Sequence, residues 1–173
     1  MLIKMVKKER LSQRVMRISD KKVYSYSAKE TEVIGEKIGL LLEKGDFLAL
    51  RGELGSGKTT LTKGIARGLE IEKPEYVNSP SFVIANEYRG KINLYHFDLY
   101  RLDDLVDIEY LGVEDYLEGD GVVVIEWADK MKQLVPEAFL EISIEIVDEY
   151  ARVFKLSAKG KRYEDIIDRY FKQ

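Results

Sequence analysis

The sequence reads Gly52-Glu53-Leu54-Gly55-Ser56-Gly57-Lys58-Thr59 one residue after a short apolar run, and this stretch determines the architecture. It fits the pattern G-x-x-x-x-G-K-[ST] of a phosphate-binding loop at every fixed position. Glycine is needed because the loop turns backbone N–H groups inward around phosphate oxygens, and side chains would block that approach. We therefore predict a nucleotide-phosphate site formed by Glu53, Leu54, Gly55, Ser56, Gly57, Lys58, Thr59 and Thr60.

The flanks of this loop have the order of elements that such a site requires. Residues 47–50 form an apolar run typical of a strand, and residues 59–69 have helical composition. The start of that helix adds the positive end of its dipole to an anion site. Lys58 is then expected to reach the β- and γ-phosphates, and Thr59 to offer its hydroxyl to Mg²⁺.

The rest of the chain predicts alternating helices and strands. Residues 27–43 have helical apolar spacing after Ser27, a suitable N-cap, and Gly45 marks the predicted stop. Residues 122–125 are a continuous β-branched run, typical of a central parallel strand. Further predicted strands are 81–88 and 91–97, around a turn at residues 89–90, and an antiparallel pair at 140–147 and 151–156.

Two further helices complete the prediction, at residues 103–116 and in a tail from residue 162. The apolar face of the tail predicts core packing, with docking of a partner as the alternative. This face comprises Tyr163, Ile166, Ile167, Tyr170 and Phe171. The pattern as a whole predicts an α/β, three-layer fold of the P-loop NTPase type, with a central parallel sheet, antiparallel edge strands and helices on both faces.

Composition indicates a single domain. The chain has 173 residues, 45% of them apolar, which is enough for one continuous core. It has no cysteine and one histidine, which excludes disulfides and argues against a zinc site. No apolar run approaches the ~20 residues that a membrane helix requires, and no signal-peptide core is present, so we expect a cytoplasmic protein without a membrane partner.

The charge distribution sets the beginning of the chain apart. The net charge is −3, so no global basic field is available to hold nucleic acid. Residues 1–22 are nevertheless rich in lysine and arginine, which predicts a basic, flexible N-terminal extension before a domain at residues 23–173. Contact of this extension with RNA or an acidic partner is the alternative interpretation.

Two acidic residues each follow an apolar run. Glu126 follows residues 122–125, and Asp98 follows residues 94–97. In an open parallel sheet both strand ends would lie along the ligand crevice. A hydrolytic phosphate-loop protein needs an acid there to hold the water shell of Mg²⁺ or to orient the attacking water. We therefore predict Lys58, Asp98 and Glu126 as catalytic residues.

Further residues near these motifs are candidates for switching or partner contact. Most of them have a plain structural alternative. His96 could be a hydrogen-bonded core residue, Arg101 could form a surface ion pair instead of stabilising a transition state, and Trp127 could simply be buried. Residues 79–81 could form an ordinary turn instead of a nucleotide-sensing loop. The candidates are Ser79, Ser81, His96, Tyr100, Arg101 and Trp127.

Taken in order, these motifs resemble the bacterial TsaE (YjeE) family. The resemblance covers residues 24–156, and it rests on the phosphate loop followed by Ser79-Pro80-Ser81-Phe82, His96-Phe97-Asp98-Leu99-Tyr100-Arg101-Leu102 and Ile125-Glu126-Trp127. It implies an ATPase that assists synthesis of threonylcarbamoyladenosine at position 37 of ANN-decoding tRNAs. The implied partners are TsaB and TsaD homologues, with indirect contact to tRNA left open.

The resemblance also implies roles for individual residues. Thr59 and Glu126 would bind Mg²⁺, Lys58 would bind the phosphates of ATP or ADP, and Asp98 would be needed for hydrolysis. Ser27 and Thr31 would lie near the adenine or ribose, and Arg152 would approach the nucleotide from the far side. Two features depart from the family pattern: serine at position 81, where threonine is usual, and the longer basic stretch before residue 24.

Three functions compete at this point. The leading hypothesis is an accessory Mg²⁺-dependent ATPase, slow alone and stimulated by partners, whose nucleotide switches segments near Ser79 and Asp98. The alternatives are a small-molecule kinase, against which no arginine-rich lid segment is visible, and a binding module in which ATP only stabilises a docking surface. Guanine specificity is disfavoured because no Asn-Lys-x-Asp string occurs.

Overall fold

The computed structural model describes residues 21–172 and contains one seven-stranded sheet. Its strands are β1 Lys21–Ser25, β2 Phe47–Gly52, β3 Ala85–Tyr88, β4 Asn93–Asp98, β5 Gly121–Glu126, β6 Phe139–Ile146 and β7 Arg152–Lys159. Their order across the sheet is β1-β7-β6-β2-β5-β4-β3. The middle strands β6, β2, β5 and β4 are parallel, whereas β7, β1 and β3 pair antiparallel with their neighbours. The predicted parallel sheet with antiparallel edges is confirmed.

Helices cover both faces of this sheet. They are α1 Ala28–Gly39, α2 Lys58–Gly68, α3 Leu105–Glu109, α4 Val113–Leu117 and α5 Lys161–Tyr170, with 3₁₀ helices at Pro74–Tyr76 and Ala128–Leu134. The buried residues of α1, α2 and α5 pack with one set of alternate strand residues. Those of α3, α4 and the second 3₁₀ helix pack with the other set. Within the described residues, no helix combines the length and apolar character needed to cross a membrane.

The first two helices approach unusually closely. A Cβ atom at Gly64 of α2 would lie 2.1 Å from the carbonyl oxygen of Glu32, and one at Gly35 of α1 would lie 2.3 Å from that of Leu61. Both distances are far below any ordinary contact, so glycine is required for this packing. The close approach fixes α2, and with it the phosphate loop, against the rest of the molecule.

The last helix is anchored to the strand that leads into the loop. The Tyr163 hydroxyl accepts the backbone N–H of Phe47 at 2.8 Å, and burial raises the pKa of Tyr163 to about 12. Three of its neighbours in the predicted apolar face are also buried, namely Ile166, Ile167 and Tyr170. The prediction of core packing is therefore confirmed for those four residues, but Phe171 is 40% exposed and does not belong to the face.

Several predicted boundaries are wrong. The helix predicted over 27–43 ends at Gly39; Leu41 and Leu42 are buried in the following turn, which extends the apolar pattern past the helix. The helix predicted over 103–116 is two short helices, separated where Gly112 has a φ of +59°. The strand predicted over 81–88 begins only at residue 85, after a turn.

The first strand was not predicted. β1 pairs antiparallel with β7, in the register Lys21↔Leu156 to Ser25↔Arg152. It begins inside the stretch that composition assigns to a basic extension. Residues 1–20 of that extension lie outside the described residues.

Candidate active site

The site is built where three parallel strands end. The register pairs Leu50 of β2 with Glu126 of β5, and Glu126 with Asp98 of β4. Because parallel strands end at the same edge of a sheet, the two acids lie side by side, next to the loop that leaves β2. The structure thus brings the predicted acids and the predicted phosphate loop to one edge.

The loop takes the shape that its glycines permit. Gly57 has a φ of +106°, which side chains rarely adopt, and it caps α2. The helix begins at Lys58, one residue before the predicted start. The first N–H groups of a helix lack partners within it, so the start of α2 directs donors and a positive dipole end toward the loop. Such an arrangement of backbone donors suits an anion.

The Lys58 side chain folds back onto the first residues of its own loop. Its ammonium donates to the carbonyl oxygens of Gly52 at 2.7 Å and Glu53 at 2.9 Å, and it lies 4.2 Å from the centre of the Trp127 ring. Burial lowers the pKa of Lys58 from its ordinary value, although the nearby carboxylates, chiefly that of Glu126, act in the opposite direction. The group is therefore a cation held in a poorly hydrated position beside the loop.

Glu126 is tied to the loop through a hydroxyl. Thr59 Oγ1 donates to Glu126 Oε1 at 2.8 Å, and His96 Nε2 lies 2.9 Å from the same oxygen. Thr59 and Glu126 are the two residues that the family resemblance assigns to Mg²⁺. Oxygen is the donor that Mg²⁺ prefers, and this ion usually keeps several waters, so few protein ligands suffice. The hydroxyl and carboxylate fit Mg²⁺, and the described residues hold no denser cluster of metal-binding side chains.

Asp98 is held by a different set of donors. The hydroxyls of Ser79 and Ser81 both donate to its Oδ2, the latter at 2.5 Å. The backbone N–H of Tyr100 donates to Oδ1 at 2.9 Å. The segment at residues 79–81, a candidate sensor in the sequence, therefore contacts the candidate catalytic carboxylate directly.

Between the loop and the acids lies a cleft of about 400 Å³. Tyr100 and Trp127 line it, and their rings pack 5.1 Å apart. Arg101 does not line it; its guanidinium lies 4.2 Å from the centre of the exposed Phe82 ring. The full lining is Leu54, Gly55, Gly57, Lys58, Thr59, Thr60, Ser79, Ser81, Asp98, Tyr100, Glu126 and Trp127.

A smaller cleft of about 210 Å³ adjoins the other side of the loop. Ser27, Thr31 and Arg152, which the family resemblance places near the nucleotide, all line it together with Ser56 and other loop residues. Ser27 accepts the Glu30 N–H as the N-cap of α1, and Thr31 Oγ1 lies 2.8 Å from Ser25 Oγ. Arg152 reaches toward the Gly55 carbonyl at 3.5 Å.

Two residues in the wall of this smaller cleft escaped sequence reasoning. Glu149 and Tyr150 lie in the turn between β6 and β7, where Asp148 accepts the backbone N–H groups of Tyr150 at 2.8 Å and Ala151 at 2.7 Å. Those bonds lower the pKa of Asp148. The only available signal was their position just before Arg152.

Comparisons with known proteins agree with this geometry. The family model described as "Threonylcarbamoyl adenosine biosynthesis protein TsaE" matches residues 25–154. The chain is 42% identical to the tRNA threonylcarbamoyladenosine biosynthesis protein TsaE of Bacillus subtilis (strain 168), over 78% of this chain and 84% of that protein. It is 36% identical to the Aquifex aeolicus protein of the same name, over 80% and 97%. The crystal structure of Bacillus subtilis YdiB matches with a TM-score of 0.76 at 32% identity, over 91% of this chain and 97% of that one.

Proposed function

We propose, because the chain belongs to the TsaE family of tRNA threonylcarbamoyladenosine biosynthesis proteins, that it is the Mg²⁺-dependent ATPase of that modification. In this proposal its nucleotide state acts as a switch on a complex of TsaB and TsaD homologues. The ATPase works in the cytoplasm and affects position 37 of tRNA through those partners, with any tRNA contact indirect.

One observation carries the proposal. The phosphate loop, with Lys58 and Thr59, lines the same cleft as Glu126 and Asp98. A cation and backbone donors together with carboxylates in one cleft are what a Mg²⁺–triphosphate complex needs, because its phosphates are anionic and its metal prefers oxygen.

Binding is assigned to the loop and its flanks. The N–H groups of residues 53–60 and the Lys58 ammonium would take the phosphates of ATP or ADP. The smaller cleft, lined by Ser27, Thr31 and Arg152, would take the adenosine part. Lys58 would exchange its two loop carbonyls for phosphate oxygens, which are stronger acceptors because they are charged.

Thr59 and Glu126 would hold Mg²⁺ beside the phosphates. When bound, the ion would neutralise charge on the β- and γ-phosphate oxygens. Glu126 is suited to this because its carboxylate is already bonded to the Thr59 hydroxyl, which places both oxygen donors together before anything binds.

Asp98 would position the attacking water. Its two oxygens are fixed by the hydroxyls of Ser79 and Ser81 and by the Tyr100 N–H, so the carboxylate has one defined orientation. A carboxylate in the cleft wall can accept a hydrogen bond from a water aimed at the γ-phosphate. The charge of the Lys58 ammonium would stabilise the transition state.

The switch would run through residues 79–84. Their serines contact Asp98, and the next two side chains, Phe82 and Val83, are 84% and 64% exposed. Ile84 has a φ of +70°, a strained conformation for a β-branched residue. Conversion of ATP to ADP beside Asp98 would thus move exposed apolar side chains, and a partner protein could bind them in one position and not in the other.

Phosphate release from ATP tests the proposed partner role. The purified chain should hydrolyse ATP slowly, and addition of TsaB and TsaD homologues together should raise the rate, because the partners stabilise the active position of residues 79–84. Each homologue added alone is the control, and Glu126→Ala should abolish the stimulated rate.

Two outcomes would contradict this role. An unchanged rate with both homologues present would rule out the switch. A Glu126→Ala variant that hydrolyses nothing but still supports threonylcarbamoyladenosine formation would favour a binding module over an ATPase.

A further inference from the structure

His96 is the only histidine of the chain, and it lies fully buried beneath the acidic edge of the sheet. Its Nε2 lies 2.9 Å from Glu126 Oε1. Because an ionised carboxylate can only accept hydrogen bonds, the imidazole is the donor in this contact. With Glu126 as a carboxylate, this contact assigns a hydrogen to Nε2.

The other ring nitrogen has no comparable contact. Nδ1 of His96 is buried and has no hydrogen-bond partner among the described residues. Buried polar atoms are nearly always paired, and an unpaired one costs stability that an apolar side chain would avoid. On the same face of the sheet Leu94 lies one step back along β4 and Val124 across on β5, both apolar. The polar neighbour Asn86, paired with His96 on β3, donates to the Tyr88 hydroxyl and does not bond to Nδ1. Core filling alone does not account for an imidazole here.

The register explains how the ring reaches the site. β4 and β5 pair His96 with Val124 and Asp98 with Glu126. Since alternate residues of a strand share a face, His96 lies one step behind the two acids and on their side of the sheet. It is therefore below the cleft and outside its lining, yet within bonding distance of one acid.

The bond to His96 also determines which oxygen of the Glu126 carboxylate is already occupied by hydrogen-bond donors. Oε1 accepts both the Thr59 hydroxyl and the His96 N–H, whereas no described residue donates to Oε2. Two donors on one oxygen fix the rotation of the carboxylate. Because Glu126 lines the cleft, Oε2 is the oxygen left without a described donor for a ligand there.

We propose that His96 is a positioning residue, whose Nε2–H holds the Glu126 carboxylate in the orientation that takes up Mg²⁺ with the nucleotide. This rests on the proposed function, since it presupposes that Glu126 serves the metal. It differs from a switching or partner-contact role for His96, which its complete burial does not favour.

Three substitutions separate the hydrogen bond from the packing. His96→Gln keeps an N–H donor the same number of bonds from Cβ as Nε2. His96→Asn keeps an amide, but its N–H donor is one bond closer to Cβ. His96→Phe keeps the ring and removes the donor. Thermal unfolding without ligand would be recorded for each, so that binding is compared only among folded variants.

The measurement is the affinity of the purified chain for a fluorescent ADP analogue at increasing Mg²⁺ concentrations. The value compared is the Mg²⁺ concentration at which half of the Mg²⁺-dependent gain in affinity is reached. His96→Phe and His96→Asn should raise that concentration by about tenfold or more, as loss of a residue behind a metal ligand commonly does. His96→Gln should stay close to the wild type. Binding of the analogue in the presence of EDTA should be equal in all four proteins, because the phosphate loop is untouched.

The proposal is overturned if folded His96→Phe has the Mg²⁺ dependence of the wild type. It is equally overturned if His96→Gln is impaired as much as His96→Asn, a comparison that decides the matter even if the Phe variant does not fold. If the nucleotide affinity of the wild-type chain does not depend on Mg²⁺, the proposed function itself is contradicted.

Discussion

The two carboxylates at the edge of the sheet differ in what holds them. Glu126 bonds to Thr59 of the phosphate loop and to buried His96. Asp98 bonds to the serines of residues 79–81 and to the backbone after it. At the scale of single residues, this separates a carboxylate assigned to the metal from one assigned to the attacking water.

Asp98→Asn tests that division of roles. The amide has nearly the same shape but no charge, so it should orient water poorly and lower ATP hydrolysis by about 100-fold or more. Affinity for Mg²⁺ and ADP should remain close to that of the wild type, because Glu126 is unchanged. Asp103→Asn is the matched control, since the Asp103 side chain is 93% exposed. Near-normal hydrolysis by Asp98→Asn would rule out the role given to this residue.

Sequence alone located the residues whose chemistry imposes a pattern. Lys58 and Thr59 stand at fixed positions of the loop, and Glu126 and Asp98 follow strand-like runs, so motif and spacing predicted all four as candidates. The structure brings these four residues into one cleft. Tyr150 could not be identified, because a tyrosine in a turn has no pattern that relates it to a loop about 100 residues earlier. The bond between His96 and Glu126 likewise depends on which strands are neighbours.

At the scale of elements, the packing of α1 on α2 supports the loop. Gly64 and Gly35 let the helices meet with backbone against backbone. The helical periodicity of both segments was visible in the sequence, but their partnership was not. Boundaries were predicted least well, because Leu41 and Leu42 continue the apolar pattern into a turn and Gly112 interrupts a segment of helical composition.

Gly64→Ala tests this packing. Helix propensity alone predicts a gain in stability, because alanine favours a helix by about 1 kcal/mol over glycine. The structure predicts the opposite, a loss of about 1–3 kcal/mol in the free energy of unfolding, because the new methyl group would meet the Glu32 backbone. Urea denaturation measures the difference, with exposed Lys37→Ala on α1 as the control. A Gly64→Ala variant as stable as the wild type would contradict the described contact.

At the scale of the whole molecule, the topology of the sheet gathers the site. β2, β5 and β4 are adjacent and parallel, so their ends bring the loop and both acids together although they are far apart in sequence. The alternation of strands and helices predicted this architecture. It did not predict β1, because Lys21–Ser25 is short, partly basic and recognisable as a strand only through its pairing with β7.

The proposed function depends on binding and hydrolysis of ATP between the Gly52–Thr59 loop and the acids opposite it. The decisive measurement is phosphate release by the purified Lys58→Ala variant, with Lys63→Ala on the same helix as control. We expect at least about a 100-fold lower rate for Lys58→Ala, since a buried charge that stabilises the transition state is removed, and a normal rate for Lys63→Ala. Hydrolysis by Lys58→Ala at the wild-type rate would contradict the assignment of this loop.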